Sequence, residues 1–231
     1  MDIQGIIETD RQLLAVFNGN HTAFLDQLMA TLTAGPTWIP LYIALLYLVI
    51  KNNETMAQVA VVIGSVALCF FITEFVTEGL VKPAVARPRP LNDPIWAYEV
   101  HVVGERGPAD YSFFSAHAAN TFGIAMLLSL IIRNRVFTLL MFSWSLVNCY
   151  TRLYLGKHYP TDILAGICCG ALAATVAWLV YRAAFKRVSA NQRFVSSQYT
   201  KSGYSLADID VVSMVLMTSY FFAIVLSLMM H

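Results

Sequence analysis

Six long apolar runs, at residues 37–50, 57–80, 118–132, 136–155, 163–181 and 211–230, constrain this chain more than any other feature. Several approach the roughly 20 residues needed to cross a hydrocarbon core. Lipid cannot satisfy exposed backbone donors and acceptors, so a spanning chain must be helical or a closed barrel. The runs are continuous rather than alternating, which excludes the barrel. The sequence therefore predicts an all-α polytopic membrane bundle of about six transmembrane helices, the first being short. With 58% hydrophobic and only 13% charged residues, water is not the main solvent of this chain.

A single membrane domain is expected. Residues 1–34 carry Leu25, Leu28, Met29 and Leu32 at helical spacing, interrupted by Asp26 and Gln27, and read as an N-terminal amphipathic interfacial helix. Asp2 and Glu8 stand where a cleavable signal peptide would be basic and apolar, so insertion is expected from the spans themselves. Gly35-Pro36 breaks the chain before a catalytic helical core at 37–181. A cytoplasmic linker follows at 182–208, then an extra C-terminal transmembrane helix at 209–231. Cys69, Cys149, Cys168 and Cys169 fall in apolar runs and read as small buried hydrophobes rather than a disulfide or metal framework.

Counting spans puts Lys51, Arg133, Arg135, Arg182, Lys186, Arg187, Arg193 and Lys201 on one side. Arg11, Lys82, Arg87, Arg89, Arg106, Arg152 and Lys157 fall on the other. Most of the second group lies in segments where positive charge has a chemical use. With those set aside, the positive-inside rule makes the Arg133/Arg135 turn cytoplasmic and places the polar clusters, with both termini, on the outer face. A bacterial cytoplasmic membrane with the site on its periplasmic face is the expected location.

Three clusters of ionisable residues interrupt the apolar chain, and the span count brings all three to one membrane face. They are Lys82-Pro-Ala-Val-Ala-Arg87-Pro-Arg89-Pro90, Phe114-Ser115-Ala116-His117, and Thr151-Arg152 through Lys157-His158 to Asp162. Lys82, Arg89 and Arg152 supply one ammonium and two guanidinium groups suited to phosphate oxygens. Ser115 lies where a helix begins, so its hydroxyl and nearby N–H groups, including that of Ala116, add uncharged donors. In-line displacement at phosphorus needs one group to attack and another to protonate the leaving oxygen, roles that His117 and His158 can divide. Asp162, four residues after His158, can accept a proton from one ring nitrogen and aim the other.

These clusters resemble the signatures of the type 2 phosphatidic acid phosphatase family, a superfamily that also holds soluble acid phosphatases and vanadium haloperoxidases. Its patterns run Lys-x6-Arg-Pro, Pro-Ser-Gly-His and Ser-Arg-x5-His-x3-Asp. Here Lys82 precedes Arg89-Pro90 by six intervening residues, Arg152 precedes His158 by five, and three more precede Asp162. Phe114, Ala116 and Thr151 replace the usual Pro, Gly and Ser. The resemblance implies that His158 attacks phosphorus to form a phosphohistidine, Asp162 orients it and His117 is the general acid. Lys82, Arg89, Ser115, Ala116 and Arg152 would hold the phosphoryl oxygens. Family members commonly have three spans before the first motif and one after the last, whereas two precede and two follow here.

The expected substrate keeps its tails in the bilayer while its phosphate enters a polar pocket. Candidates are undecaprenyl pyrophosphate, phosphatidylglycerol phosphate, phosphatidic acid and phosphorylated lipid A, with a slight preference for the prenyl pyrophosphate. A phosphotransferase using the same intermediate, or a lipid or anion carrier, are the alternatives. No cofactor, metal or nucleic-acid partner is expected, because no cage of carboxylates or histidines suits a divalent ion. Glu78, four residues before Lys82, reads as a supporting carboxylate beside Glu74, and Thr151 as a supporting hydroxyl. Arg87, Arg106 and Lys157 are as well explained as interface anchors, and His21, His101 and His231 as structural. The segment 91–111, with Trp96, Tyr98 and Glu105, reads as an ordinary loop or a shaper of substrate access.

Overall fold

The computed structural model describes residues 3–103, 111–189 and 197–230; Asp2, Glu105, Arg106, Arg193 and His231 lie outside the described residues. Helices α1 (Ile3–Phe17) and α2 (Ala23–Thr33) form the N-terminal segment as two elements, α2 being capped where Thr22 accepts from the Leu25 N–H. After the Gly35–Trp38 turn come α3 (Ile39–Lys51) and α4 (Met56–Glu74), whose start is fixed by a Thr55/Gln58 capping box. A π-helical segment, Phe75–Val81, leads into the short α5 (Lys82–Val85). The rest of the chain forms α6 (Ala116–Ile132), α7 (Arg135–Tyr154), α8 (Pro160–Val188) and α9 (Leu206–Met229). Among the described residues there is no strand, only two isolated bridges.

Each apolar run of the sequence is thus helical. The stretches Met56–Val85, Pro160–Val188 and Leu206–Met229 are individually long and apolar enough to cross a bilayer. Helices α2 and α3 meet the same test as one pair bent by 67° at the Gly35-Pro36 break, and α6 is a shorter apolar helix. In α4–α5 only 28% of the apolar window is buried inside the protein, so most of its side chains, such as Phe70 and Phe71, face outward. That surface belongs in lipid. Cys168 is exposed on α8, a correction to the expectation that all four cysteines are buried; Cys69 and Cys149 are.

Helix α6 is the axis of the bundle, with α4, α7 and α8 around it. The α6–α8 contact is close because α8 presents Gly166 and Gly170, four residues apart on one face. A Cβ at Gly166 would stand 2.6 Å from the Ser115 carbonyl oxygen, and one at Gly170 would meet the Ala119 carbonyl. Helix α9 packs against α2 and α3. Asp208 at its start accepts from Lys51 Nζ at 2.7 Å and from Asn52 Nδ2 at 3.1 Å, which satisfies an otherwise costly buried carboxylate.

The two ends of the bundle differ in chemistry. At one end Asn52 meets Ser205, Ser202 meets the Ile132 carbonyl and Gln58 meets the Val188 carbonyl. The opposite end holds the N-terminus of α6, the α7–α8 turn and the segment after α5. Helix α8 continues beyond residue 181 to Val188, with the Arg182 guanidinium 4.7 Å from the centre of the Trp178 ring.

Candidate active site

Lys82 owes its position to the π-helical segment. Its N–H bonds the Thr77 carbonyl five residues back, and the extra residue turns the end of the α4–α5 rod so that the Lys82 side chain, 5% exposed, points inward. Nζ of Lys82 donates to Glu78 at 2.5 Å, and Glu78 is half exposed. Ala86 then adopts a left-handed conformation (φ 49°) that ends α5 and starts the Arg87-Pro88-Arg89-Pro90 extension.

Ser115 caps α6. Its hydroxyl accepts from the Ala118 N–H at 3.4 Å, and its own N–H donates to the Asp162 carbonyl at 3.1 Å, tying the second cluster to the third. Ala116 and His117 follow in the first turn, where helix N–H groups point away from the helix body. Arg152, on the last turn of α7, is buried and donates from Nη1 to Thr33 on α2 at 3.1 Å. Thr151 spends its hydroxyl on the Asn148 carbonyl within its own helix at 2.7 Å.

His158 lies in the α7–α8 turn and is 2% exposed. Its Nδ1 is 3.0 Å from the Ser112 carbonyl oxygen and 3.5 Å from Asp162 Oδ2. A neutral ring that donates from Nδ1 leaves the Nε2 lone pair available. Burial, and then the positive charges of Arg152, Arg89 and Lys82, hold this imidazole well below the ordinary histidine range. Burial and then the charges of Arg152 and Arg89 also push the Lys157 ammonium down. His117 lies near the same cations, Arg152, Lys157 and Arg89. Four cations therefore converge on two histidines, an arrangement that demands an anion.

The carboxylate of Asp162 is fully buried and held by several groups, the Ser112 hydroxyl among them. Arg87 Nη1 donates to Oδ1 at 3.0 Å, the Tyr159 N–H donates to Oδ2 at 2.9 Å, and His158 stands beside Oδ2. Arg87 Nη2 reaches Asp10 of α1 at 2.7 Å, and its guanidinium lies 3.8 Å over the Tyr159 ring. Asp10 also accepts from the Thr161 N–H at 2.9 Å and the Thr161 hydroxyl at 2.6 Å. Next to it on α1, Arg11 grips Asp93 at 2.9 Å, and the Tyr159 hydroxyl donates to the same carboxylate at 2.7 Å. Burial of Asp93 is outweighed by these bonds and by two backbone N–H groups, so its carboxyl stays below the usual range, while burial pushes the Tyr159 phenol up.

Beneath His117 a cavity of about 180 Å³ extends between α2, α3, α4, α6 and α7, lined in part by Trp38, Asn120, Thr121, Trp144 and Asn148. Tyr42 and Phe70, both partly exposed on the outer surface, flank it. Asn120 bridges Thr73 and Glu74, which accounts for the intramembrane carboxylate at Glu74. The Trp144 Nε1–H is buried without a hydrogen-bond partner.

Lys82, Arg89, Ser115, Ala116, His117, Arg152, His158 and Asp162 all lie at this end of the bundle, and Glu78 touches it through Lys82. Sequence reasoning missed Asp10 and Ser112 as parts of the assembly and left Arg87 open between an interface anchor and a functional role. Arg87 sits inside the first cluster and had a local signal; Asp10 had none, being 77 residues from Arg87 in the chain. It also missed His21, Asp26 and His101, whose ligand atoms lie close enough to hold a metal ion. In this arrangement His21 bonds Asp26 at 2.6 Å and the Asn18 carbonyl at 3.0 Å, and its ring stacks on His101 at 3.7 Å.

Comparison with known proteins points the same way. The family model of the PAP2 superfamily matches residues 58–186. The chain is 37% identical over 186 residues to a lipid A 4'-phosphatase of Bacteroides thetaiotaomicron, covering 80% of each. It is 32% identical over 177 residues to a lipid A 4'-phosphatase of Porphyromonas gingivalis, covering 76% of this chain and 74% of that one. An undecaprenyl-diphosphatase of Sulfolobus acidocaldarius is 29% identical over 160 residues, 67% of this chain and 70% of its own. Two solved structures share the fold. LpxE of Aquifex aeolicus superposes with a TM-score of 0.55 at 22% identity, over 72% of this chain and 92% of its own. The PAP2-type phosphatidylglycerolphosphate phosphatase of Bacillus subtilis does so at 0.60 and 16% identity, over 81% and 90%.

Proposed function

Because the chain belongs to the PAP2 superfamily, we propose that it is an integral membrane lipid phosphatase working through a phosphohistidine on His158. The observation that carries this reading is the environment of His158: a buried ring with Nδ1 against the Ser112 carbonyl, set among Lys82, Arg89 and Arg152. Nε2 attacks phosphorus as the bond to the lipid oxygen breaks, and His117 gives that oxygen a proton. Water then attacks phosphorus, the P–N bond breaks, and His117 takes the proton from water. Lys82, Arg89 and Arg152, with the Ser115 hydroxyl and the Ala116 N–H, hold the phosphoryl oxygens as charge redistributes. Asp162 offsets the positive charge that the ring acquires, and Glu78 positions Lys82.

The preferred substrate is a phosphate monoester on a glycolipid of the lipid A type. Two relatives above 30% identity are named for that activity. The cavity beneath His117, where the leaving group would sit, combines aromatic walls with the amides of Asn120 and Asn148. Such a lining suits a sugar better than a prenyl chain. A prenyl diphosphate is the second reading, favoured by Lys157, a further cation able to meet a second phosphate.

The site is assigned to the periplasmic face of a bacterial cytoplasmic membrane, a reading supported by Lys51, Arg133 and Arg135 clustering at the opposite end. The test is phosphate release from lipid A, undecaprenyl pyrophosphate, phosphatidylglycerol phosphate and phosphatidic acid by purified protein in detergent, beside His158→Ala. Release by wild type and not by the variant is expected, greatest with lipid A. Loss of the lipid phosphate only when an acceptor alcohol is present, with the phosphorylated alcohol as product and no free phosphate, would identify a transferase.

A further inference from the structure

We propose that Asp10 and Arg87 are positioning residues of this reaction: Arg87, anchored by Asp10, holds the Asp162 carboxylate and sets the charge that it presents to His158. The inference rests on the reading of His158 as the nucleophile.

The geometry is a chain of buried charges. Asp10 is 2% exposed and Asp162 fully buried, and the Arg87 guanidinium lies between them at 2.7 and 3.0 Å. Buried carboxylates are costly without partners, and here one guanidinium fork serves both. The fork is fixed further by Thr161 Oγ1 at 2.9 Å and by the Tyr159 ring under its plane. Arg87 cannot reach for the substrate phosphate while its Nη atoms are so engaged, which separates its role from that of Lys82, Arg89 and Arg152.

The charge balance gives the network its consequence. Attack at phosphorus makes the His158 ring positive, in surroundings already holding Lys82 from α5, Arg89 after it, Arg152 from α7 and Lys157 from the α7–α8 turn. His117 on α6 adds no fixed negative charge, so Asp162 supplies the offset. Arg87 withdraws part of that offset, and Asp10 returns it by sharing the guanidinium. Helix α1 thus completes the site from the N-terminal end, 152 residues away in sequence from Asp162.

The test compares Asp10→Asn, Arg87→Gln, their double variant and His158→Ala, following kcat, KM and the acidic limb of kcat/KM against pH, with thermal melting in detergent to confirm folding. Removing the negative charge of Asp10 lowers the proton affinity of His158 and moves the limb to lower pH; removing the positive charge of Arg87 moves it to higher pH. The single variants should lose about 10²-fold in kcat with KM little changed, and the double variant should bring the limb back toward wild type. Should the neutral variants fail to fold, Asp10→Glu and Arg87→Lys keep the charges and disturb the spacing: a fall in kcat at constant KM supports the proposal, and full activity overturns it. Limbs that move in one direction, or not at all, overturn it too. Activity surviving His158→Ala would remove the nucleophile assignment and this proposal together, whereas activity lost there but kept in the Asp10 and Arg87 variants overturns this proposal alone.

Discussion

The Nδ1 atom of His158 lies 3.0 Å from the carbonyl oxygen of Ser112, nearer than the 3.5 Å that separates it from the carboxylate of Asp162. A proton on Nδ1 thus has a main-chain carbonyl as its nearer acceptor, with the carboxylate beside it. Where a carboxylate alone fixes the tautomer, replacing it by the amide can cost about 10⁴-fold.

Asp162→Asn is expected to lose less than that, about 10²- to 10³-fold in kcat, because the Ser112 carbonyl remains as an acceptor for Nδ1. His158→Ala should abolish phosphate release altogether. Steady-state kinetics on the same lipid checks both, and equal losses for the two variants would assign the orienting role to Asp162.

The depressed His158 keeps its ring neutral well below the ordinary histidine range, so kcat/KM should hold as pH falls through about 6.5. Stability follows the opposite trend. The unfolded chain takes up a proton below about 6.5 that the folded protein refuses, so this group's contribution weakens stability progressively from there down to its folded pKa and is neutral above. Melting temperatures in detergent across the acidic range, for wild type and His158→Ala, read that difference.

Gly166→Val places a side chain against the Ser115 carbonyl, where a Cβ alone would lie at 2.6 Å. Backbone cannot yield as a flexible side chain can, so α6 and α8 must separate. A loss of about 1–3 kcal/mol in stability is expected, together with activity, since Ser115 and Asp162 are joined across this contact. A thermal melt near wild type would show that the helices do not need this approach.

Trp144→Phe removes the unpartnered indole N–H from the cavity wall and keeps the ring. If that donor meets the leaving group of a glycolipid, KM rises about fivefold with kcat unchanged. A short-chain phosphate that leaves the cavity empty should show no change.

Chelation should leave phosphate release intact, since the proposed chemistry uses histidine, lysine and arginine. The His21, Asp26 and His101 group offers the described residues' one candidate metal cluster. Activity lost in chelator, restored by zinc or magnesium and insensitive to metal in His21→Ala, would give that group a role in the reaction.

Much of the site was legible because its residues come in short ordered clusters. Lys82 with Arg89, and Arg152 with His158 and Asp162, sit at fixed separations because each cluster occupies one helix end and its adjoining turn. Ser115 and His117 share a helix start for the same reason. The π-helical segment before Lys82 had no such mark, since its extra residue is absorbed in an unbroken apolar run. Gly166 and Gly170 were visible in the sequence, but which helix they admit depends on a partner more than 40 residues earlier.

The sequence by itself determined that the chain is a helical membrane bundle, because long apolar runs leave the backbone no other way to satisfy its hydrogen bonds in lipid. It also determined the chemistry of the three clusters, because side-chain type and local spacing are properties of the chain alone. Only the tertiary structure decided that α1 reaches the site through Asp10, that Arg87 holds Asp162, and that Ser112 holds the His158 ring. Those contacts join residues 46 to 151 positions apart, and partners so distant are chosen by helix packing and the burial of charge, which no local pattern encodes.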